Sequence, residues 1–168
     1  MTKVFNQKTQ QLQINPPSFS SCAFTGHREL KEGFSLQRLE NAIDETLQRG
    51  ARTFYNGLAV GFDLLAAETL LKKKKAYPDV RLVGCIPFEN QARYYSPQDK
   101  KRYEEVLRRC DERVILYERY TKECYFERNR FMCDRADCLI AYCTEKTGGT
   151  AYTVKYFQKQ KPNDIFFI

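Results

Sequence analysis

The chain has 168 residues, a formal net charge of +7 and a pI of about 9.0. This length predicts a single domain with a real hydrophobic core. The charge favours an acidic partner, such as a phosphate-bearing small molecule, RNA or DNA, although surplus Lys and Arg that only maintain solubility would give the same balance. We expect no membrane-spanning helix and no signal peptide, because no run of about 18 apolar residues and no short apolar leader is found.

The seven cysteines predict free thiols rather than disulfides or a metal site. Their number is odd and no C-x-x-C pair occurs. The five-residue spacing of Cys133, Cys138 and Cys143 is not that of a zinc site. Most of the cysteines lie within apolar runs, where Cys behaves as a small buried hydrophobe. We therefore expect a cytoplasmic protein with no bound metal.

A polar segment precedes a regular alternation of strands and helices. Residues 1–18 are rich in glutamine and contain two prolines, which predicts a flexible arm, and residues 19–168 form the predicted domain. The predicted strands span 20–25, 53–56, 81–86, 112–117, 137–143 and 165–168. The predicted helices span 35–50, 62–77, 97–110, 124–135 and 150–160, and Pro78 is expected to stop the second of them.

This alternation predicts an α/β fold, a Rossmann-like three-layer sandwich with a mainly parallel sheet of about six strands. Continuous apolar strands, such as Cys138 to Tyr142, are typical of a sheet that is buried on both faces. Ligands of such sheets bind beyond the carboxyl ends of the strands, near the point where the strand order reverses.

Three glycine-containing turns follow three predicted strands. Gly57 and Gly61 precede Asp63 at the start of the second helix, where the absence of Cβ atoms would let a ligand approach and free N–H groups would bind an anion. The other two turns are the segments 25–28 and 147–150. Because all three turns lie at carboxyl ends of strands, they predict one nucleotide-sized pocket.

The segment Thr25, Gly26, His27 and Arg28 offers several polar groups to this pocket. Arg28 is expected to grip a phosphate with two hydrogen bonds. His27 is the only histidine, and it serves either in catalysis or as a hydrogen-bond partner of the loop backbone.

The last turn contains Gly148, Gly149 and Thr150. The two glycines let the chain wrap around an anion, and the Thr150 hydroxyl either caps the last helix or bonds a phosphate oxygen.

Other charged and aromatic segments are less specific. The run from Lys72 to Lys75 ends a helix at the opposite edge of the sheet, which indicates a solvated helix end rather than a nucleic-acid site. Arg128 and Arg130 are two apart on one helix, so only one of them is expected to face the pocket. A ring in the segment 88–95 could stack on a base, or that loop could pack on itself.

Several motifs resemble one superfamily of nucleotide-binding proteins. G-L-A-V-G-F-D-L-L-A-A-E, in residues 57–68, resembles the glycine-rich signature of the Smf/DprA type of DNA-processing proteins. E-R-N-R-F-M-C-D-R-A-D-C-L-I-A-Y, in residues 127–142, followed by G-G-T, resembles the lysine-decarboxylase-like LOG proteins. Both belong to the SLOG superfamily. The T-G-H-R start and the I-P-F segment look most like its YpsA-like branch.

The resemblance implies roles only for residues that match. LOG enzymes release a base from a nucleoside monophosphate with an arginine, which matches Arg128, and with a glutamate. The position of that glutamate is Thr153 here, and threonine cannot act as a carboxylate. Asp63 and Glu68 are the remaining catalytic candidates, of which Asp63 is better placed to meet a ribose hydroxyl.

Three functions therefore stand as hypotheses. The first is a cytoplasmic SLOG module that binds a nucleotide or a nucleotide-derived ligand as a sensor or regulator, with no required cofactor. The second is a nucleoside monophosphate N-glycosidase, and the third is single-stranded DNA binding of the DprA type. The resemblance also implies a homodimer.

Overall fold

A computed structural model of the protein describes residues 18–168. The strands are β1 (Ser21–Gly26), β2 (Thr53–Asn56), β3 (Arg81–Phe88), β4 (Glu112–Tyr117), β5 (Cys138–Tyr142) and β6 (Ile165–Phe167). The helices are α1 (Leu36–Gln48), α2 (Phe62–Lys73), α3 (Pro97–Arg109), α4 (Cys124–Arg135) and α5 (Gly149–Gln160). The predicted arm at residues 1–18 lies outside the described residues apart from Ser18.

Apart from shifts of one or two residues at other helix ends, the helices differ from the expected ones at two places. Helix α2 ends at Lys73 rather than at residue 77, because the N–H groups of Ala76 and Tyr77 both donate to the Lys73 carbonyl and close a turn there. A short 3₁₀ helix, η1 (Gln91–Tyr94), follows β3 where a loop was expected. None of the helices in residues 18–168 is long and apolar enough to cross a membrane.

The six strands form one sheet in the order β4-β3-β2-β1-β5-β6, and every neighbouring pair is parallel. The chain winds outward from β1 to β4 and then crosses back to β5, so the order reverses between β1 and β5. Helices α1, α2 and α3 cover one face of the sheet, and α4 and α5 cover the other. This confirms the predicted Rossmann-like α/β fold.

Alternating side chains of the central strands supply both halves of the core. On β1, Cys22 and Phe24 face helices α1 to α3, whereas Ala23 faces α4 and α5. Strand β5 repeats the pattern, with Ile140 on the first face and Leu139 on the second. Because both faces are apolar, these strands read as continuous hydrophobic runs in the sequence.

The lysine run at the end of α2 lies at the opposite end of that helix from the glycine turn. Lys73 pairs with Asp44 of α1, and Lys74 pairs with Asp111 just before β4. These ion pairs occur at the amino-terminal edge of the sheet, as expected for a helix end that is stabilised by cations.

The end of β1 generates a prediction about stability. A Cβ at Gly26 would lie 2.3 Å from the Phe62 ring and 2.6 Å from the Phe62 Cβ, so Gly26→Ala requires α2 to move. We expect a loss of about 1–3 kcal/mol in the free energy of unfolding, measured with urea. Gly149→Ala is the matched control, because its Cβ would meet nothing within 4 Å. Equal stabilities of the two variants would contradict this packing.

Candidate functional site

A cleft of about 420 Å³ opens at the carboxyl edge of the sheet, where the strand order reverses between β1 and β5. This is the position at which open parallel sheets bind ligands. The end of β1, the first turn of α2, one side of α4 and the start of α5 form its walls. The cleft is lined by Thr25, Gly26, His27, Arg28, Ala59, Asp63, Lys122, Tyr125, Phe126, Arg128, Asn129, Thr147, Gly148, Gly149 and Thr150.

Most of the residues predicted to bind a ligand line this cleft. They are Thr25, Gly26, His27, Arg28, Asp63, Arg128, Gly148, Gly149 and Thr150. Glu68 is not brought to the cleft. Its carboxylate forms two hydrogen bonds with the Arg102 guanidinium, at 2.8 and 2.9 Å, and thereby joins α2 to α3. The structure therefore removes Glu68 from the catalytic candidates.

Gly57 and Gly61 make room for the protein itself rather than for a ligand. A Cβ at Gly57 would lie 2.3 Å from the Arg128 guanidinium, and one at Gly61 would lie 2.0 Å from the Arg28 carbonyl oxygen. Gly61 also has a φ of 81°, which favours glycine. The prediction that these two glycines let a ligand approach is therefore wrong. Gly57 instead makes room for the Arg128 side chain, and Gly61 makes room for the Arg28 backbone.

The start of α2 is not a free anion site, contrary to expectation. The Phe62 N–H donates to the His27 carbonyl at 3.1 Å, and the Leu64 N–H donates to the Ala59 carbonyl at 3.2 Å. Because these N–H groups are occupied, the group that this helix start presents to the cleft is the carboxyl of Asp63.

Asp63 is a buried carboxyl with an unused acceptor. The side chain is 6% exposed, and its Oδ2 accepts a hydrogen bond from the Ala59 N–H at 3.4 Å. Its Oδ1 is buried and has no hydrogen-bond partner among the described residues. Burial raises the pKa of Asp63 to about 6, although the nearby Arg128 cation lowers it in part. A buried, poorly satisfied carboxyl in a cleft is typical of a functional site.

Arg128 is the buried cation beside Asp63. It is 4% exposed, and its Nη1 donates to the carbonyls of Gly57 at 2.6 Å and Cys85 at 3.2 Å. Arg128 therefore ties α4 to the turn after β2 and to β3, and it also lines the cleft. Arg130 points elsewhere and donates to the Tyr152 hydroxyl at 2.9 Å, so only one of the two arginines faces the cleft, as expected.

His27 joins the loops around the cleft. Its Nε2 accepts a hydrogen bond from the Thr144 N–H at 2.8 Å, and its carbonyl accepts from Phe62 of α2. The ring stands edge to face with Tyr142, at 5.5 Å between centroids. Partial burial lowers the pKa of His27, so the ring is neutral at pH 7 with Nε2 as an acceptor. The sequence left two roles open for His27, catalysis or hydrogen bonding to the loop backbone. These contacts match the second role.

The start of α5 keeps its N–H groups free for a ligand. Gly148, with a φ of 96°, precedes the helix and provides no side-chain cap. The hydrogen bonding of the helix begins with the bond from the Tyr152 N–H to the Gly148 carbonyl. No acceptor within residues 18–168 bonds the N–H groups of Gly149 and Thr150. A Cβ at Gly148 or at Gly149 would meet open space. This helix start is therefore an available anion site.

The turn after β2 is fastened by residues that the sequence did not single out. Asn56 is fully buried, and its side chain accepts from the Leu58 N–H and donates to the Asp63 carbonyl, both at 2.8 Å. Leu58 has a φ of 54°, a strained value for a branched residue. Gln91 donates to the Gly57 carbonyl at 2.8 Å, and the Tyr95 hydroxyl donates to that of Leu58 at 3.1 Å.

Helical spacing would have revealed part of the cleft wall that was missed. Tyr125 lies three residues before Arg128 and four residues before Asn129, so one side of α4 carries all three. Lys122 precedes the helix and Phe126 follows Tyr125. The Tyr125 ring has the Arg28 guanidinium 5.5 Å from its centroid. This side of α4 adds aromatic surface and a second exposed cation to the cleft.

The seven cysteines are free in the described structure. Within residues 18–168, no three His, Cys, Asp or Glu side chains are grouped to hold a metal ion. The cleft thus combines a helix start with free N–H groups, two exposed cations, the buried Arg128 guanidinium, aromatic rings and one buried carboxyl.

Comparison with known proteins identifies the family. The YpsA family model, described as the YspA SLOG family, matches residues 25–168. The chain belongs to this SLOG family. Among the relatives, UPF0398 protein YpsA of Bacillus subtilis (strain 168) is 27% identical over 162 residues, covering 87% of this chain and 90% of its own. A UPF0398 protein of Bacillus licheniformis is 30% identical over 131 residues, covering 76% of this chain and 72% of its own.

Two solved structures share this fold at low sequence identity. DNA processing protein A from Helicobacter pylori, described for its single-stranded DNA binding mode, has a TM-score of 0.60 and 23% identity. DprA from Streptococcus pneumoniae has a TM-score of 0.61 and 18% identity. The alignments cover 88% and 89% of this chain, but only 64% and 50% of those two chains. These likenesses confirm the Rossmann-like α/β fold.

The buried Asp63 carboxyl generates a prediction about pH. Because its pKa is about 6 when folded, the folded protein keeps a proton that the unfolded chain releases near pH 4. Stability due to this group is therefore complete below about pH 4 and falls as the pH rises towards about 7. Relative to Asp63→Asn, the wild type should lose about 3 kcal/mol over this range, measured by urea unfolding at each pH. A difference that does not change with pH would contradict the assignment.

Proposed function

We propose that this protein is a cytoplasmic SLOG module that binds a nucleotide or a nucleotide-derived ligand and acts as a sensor or regulator. The observation that carries the proposal is the pairing, in one cleft, of the free start of α5 with the Asp63 carboxyl, whose Oδ1 has no partner in the described structure. The first group binds an anion, and the second accepts a hydrogen bond from a neutral hydroxyl. A nucleotide carries both a phosphate and a ribose diol.

The phosphate is proposed to bind at the start of α5. The N–H groups of Gly149 and Thr150 and the positive end of the helix dipole favour an anion there. Arg28 is exposed and lies in the same cleft, so it supplies charge-assisted hydrogen bonds. Arg128 contributes charge, while its Nη1 is occupied by the carbonyls of Gly57 and Cys85.

The nucleoside is proposed to lie between Asp63 and the rings on α4. Oδ1 is covered in this structure, so a small shift of the Asp63 side chain would let it accept a hydrogen bond from a ribose hydroxyl. That bond would satisfy a buried carboxyl oxygen that has no partner in the described structure. Tyr125 and Phe126 line the same cleft and offer faces or edges to a base. The base itself stays unspecified, because ring contacts accept any base.

Binding of nucleotides should depend on Arg28 and on the space above Gly149. Arg28→Ala should weaken the binding of AMP or ADP-ribose about ten- to a hundredfold, since it removes a charge-assisted hydrogen bond. Gly149→Leu should abolish binding without unfolding the domain, because the new side chain enters open space over the anion site. Isothermal titration calorimetry, after a thermal-shift screen of nucleotides and nucleoside monophosphates, measures these changes.

Arg130→Ala is the matched control, since Arg130 bonds Tyr152 rather than a cleft residue. It should leave nucleotide affinity unchanged. Adenosine, which lacks the phosphate, should bind more weakly than AMP. The proposal fails if no nucleotide binds, or if Gly149→Leu binds as well as the wild type.

Hydrolysis of a nucleoside monophosphate is the alternative reaction for the same cleft. Thr153 stands at the position of the LOG glutamate, and its hydroxyl donates to the Gly149 carbonyl at 2.8 Å within α5. Asp63 is then the carboxylate left to support such chemistry. We expect no base release from nucleoside monophosphates, measured by chromatography. Release by the wild type that is lost in Asp63→Asn would replace the binding function with the hydrolase.

Single-stranded DNA is the second alternative ligand. The net charge of +7 and the fold shared with DNA processing protein A from Helicobacter pylori favour it. Against it, Lys73 and Lys74 of the lysine run are paired with carboxylates at the far edge of the sheet.

We also propose, from the family relationship, that the protein is a homodimer. Light scattering at several protein concentrations measures the oligomeric state.

A further inference from the structure

A second groove adjoins the cleft on the side of β3 and β4. It has a volume of about 590 Å³ and lies between the segments that follow these strands and the start of α4. Its rings are those of Phe88, Tyr94, Tyr120 and Tyr125, and we call it the tyrosine groove. Tyr125 lines both the tyrosine groove and the cleft, so the two cavities are neighbours that share this ring.

Two rings of the tyrosine groove are largely exposed to solvent, although the groove's rings contact one another. Phe88 packs edge to face with Tyr120 at 5.7 Å and with Tyr125 at 6.0 Å between centroids. Tyr120 is nevertheless 63% exposed, and Tyr94 is 87% exposed. Large aromatic rings this accessible are available for stacking with another planar group.

The charge of the tyrosine groove suits an anionic ligand with planar groups. Arg93 lies 5.2 Å from the centroid of the Tyr94 ring, and Arg119 lines the same groove. Glu118 is the carboxylate that lines it. On the other side of Tyr125, the cleft adds Arg28 and Lys122. Aromatic rings next to arginines are the combination that binds nucleobases joined by phosphates.

We propose that the ligand is a dinucleotide whose first nucleotide occupies the cleft and whose second base stacks on Tyr94 and Tyr120. This proposal rests on the nucleotide-binding function proposed above. One anion-binding helix start is followed by two sets of rings, first Tyr125 and Phe126 and then Tyr94 and Tyr120. Two bases joined by one phosphodiester fit this order, with Arg93 and Arg119 near the second nucleotide.

The test compares AMP with the 5′-phosphorylated dinucleotide pApA by calorimetry on the full chain. The wild type should bind pApA about tenfold more tightly than AMP, because one additional base is stacked. Replacing both tyrosines with alanine (Tyr94→Ala with Tyr120→Ala) should reduce pApA affinity to that of AMP and leave AMP affinity unchanged. Replacing both with phenylalanine keeps the rings and should preserve the preference for pApA.

The other outcomes separate this proposal from the one on which it rests. If AMP binds and pApA binds no more tightly, the tyrosine groove is not a subsite and the nucleotide function stands. If neither ligand binds, both proposals fail. If an oligonucleotide of about eight residues binds tenfold more tightly than pApA, a polymer is the ligand and the dinucleotide is overturned.

Discussion

The buried guanidinium of Arg128 is the interaction on which the rest of the site depends. It occupies the space above Gly57 and bonds the carbonyls of Gly57, just after β2, and of Cys85 in β3, so α4 is held over the carboxyl edge of the sheet. The same cation lies beside the carboxyl of Asp63 and partly offsets the cost of its burial. One side chain therefore sets the position of a helix, the shape of a turn and the electrostatics of the cleft.

The fold could be predicted from the sequence because its signals are local and repeated. The apolar runs of β2 and β4 and the pattern of α4 gave bounds that agree with the structure residue by residue. The errors fall where a local turn or a tertiary contact decides. Helix α2 ends before its proline because the chain turns at Lys73, and η1 forms where Gln91 reaches back to the Gly57 carbonyl.

The site was predictable in place but not in chemistry. Glycines at the ends of parallel strands located the cleft, since topology alone brings those ends together. Their local roles depend on what fills the space left by the missing Cβ, which a sequence does not show. The Arg128 side chain occupies this space at Gly57, and the backbone of Arg28 occupies it at Gly61. Gly148 and Gly149 face open space. The pairing of Glu68 with Arg102 was equally beyond local reasoning.

Hydrogen bonds from several side chains hold the turn after β2, so this side of the cleft is more rigid than the opposite side. Side chains of Asn56, Gln91, Tyr95 and Arg128 all bond this turn, and Leu58 is held there in a strained conformation. The opposite wall, from Thr147 to Gly149, is exposed. In the proposed binding mode, a ligand thus meets a rigid template at the sugar end and an adaptable one at the phosphate end. Discrimination between similar molecules should arise at the rigid template, while differences in phosphate number or geometry are accommodated across from it.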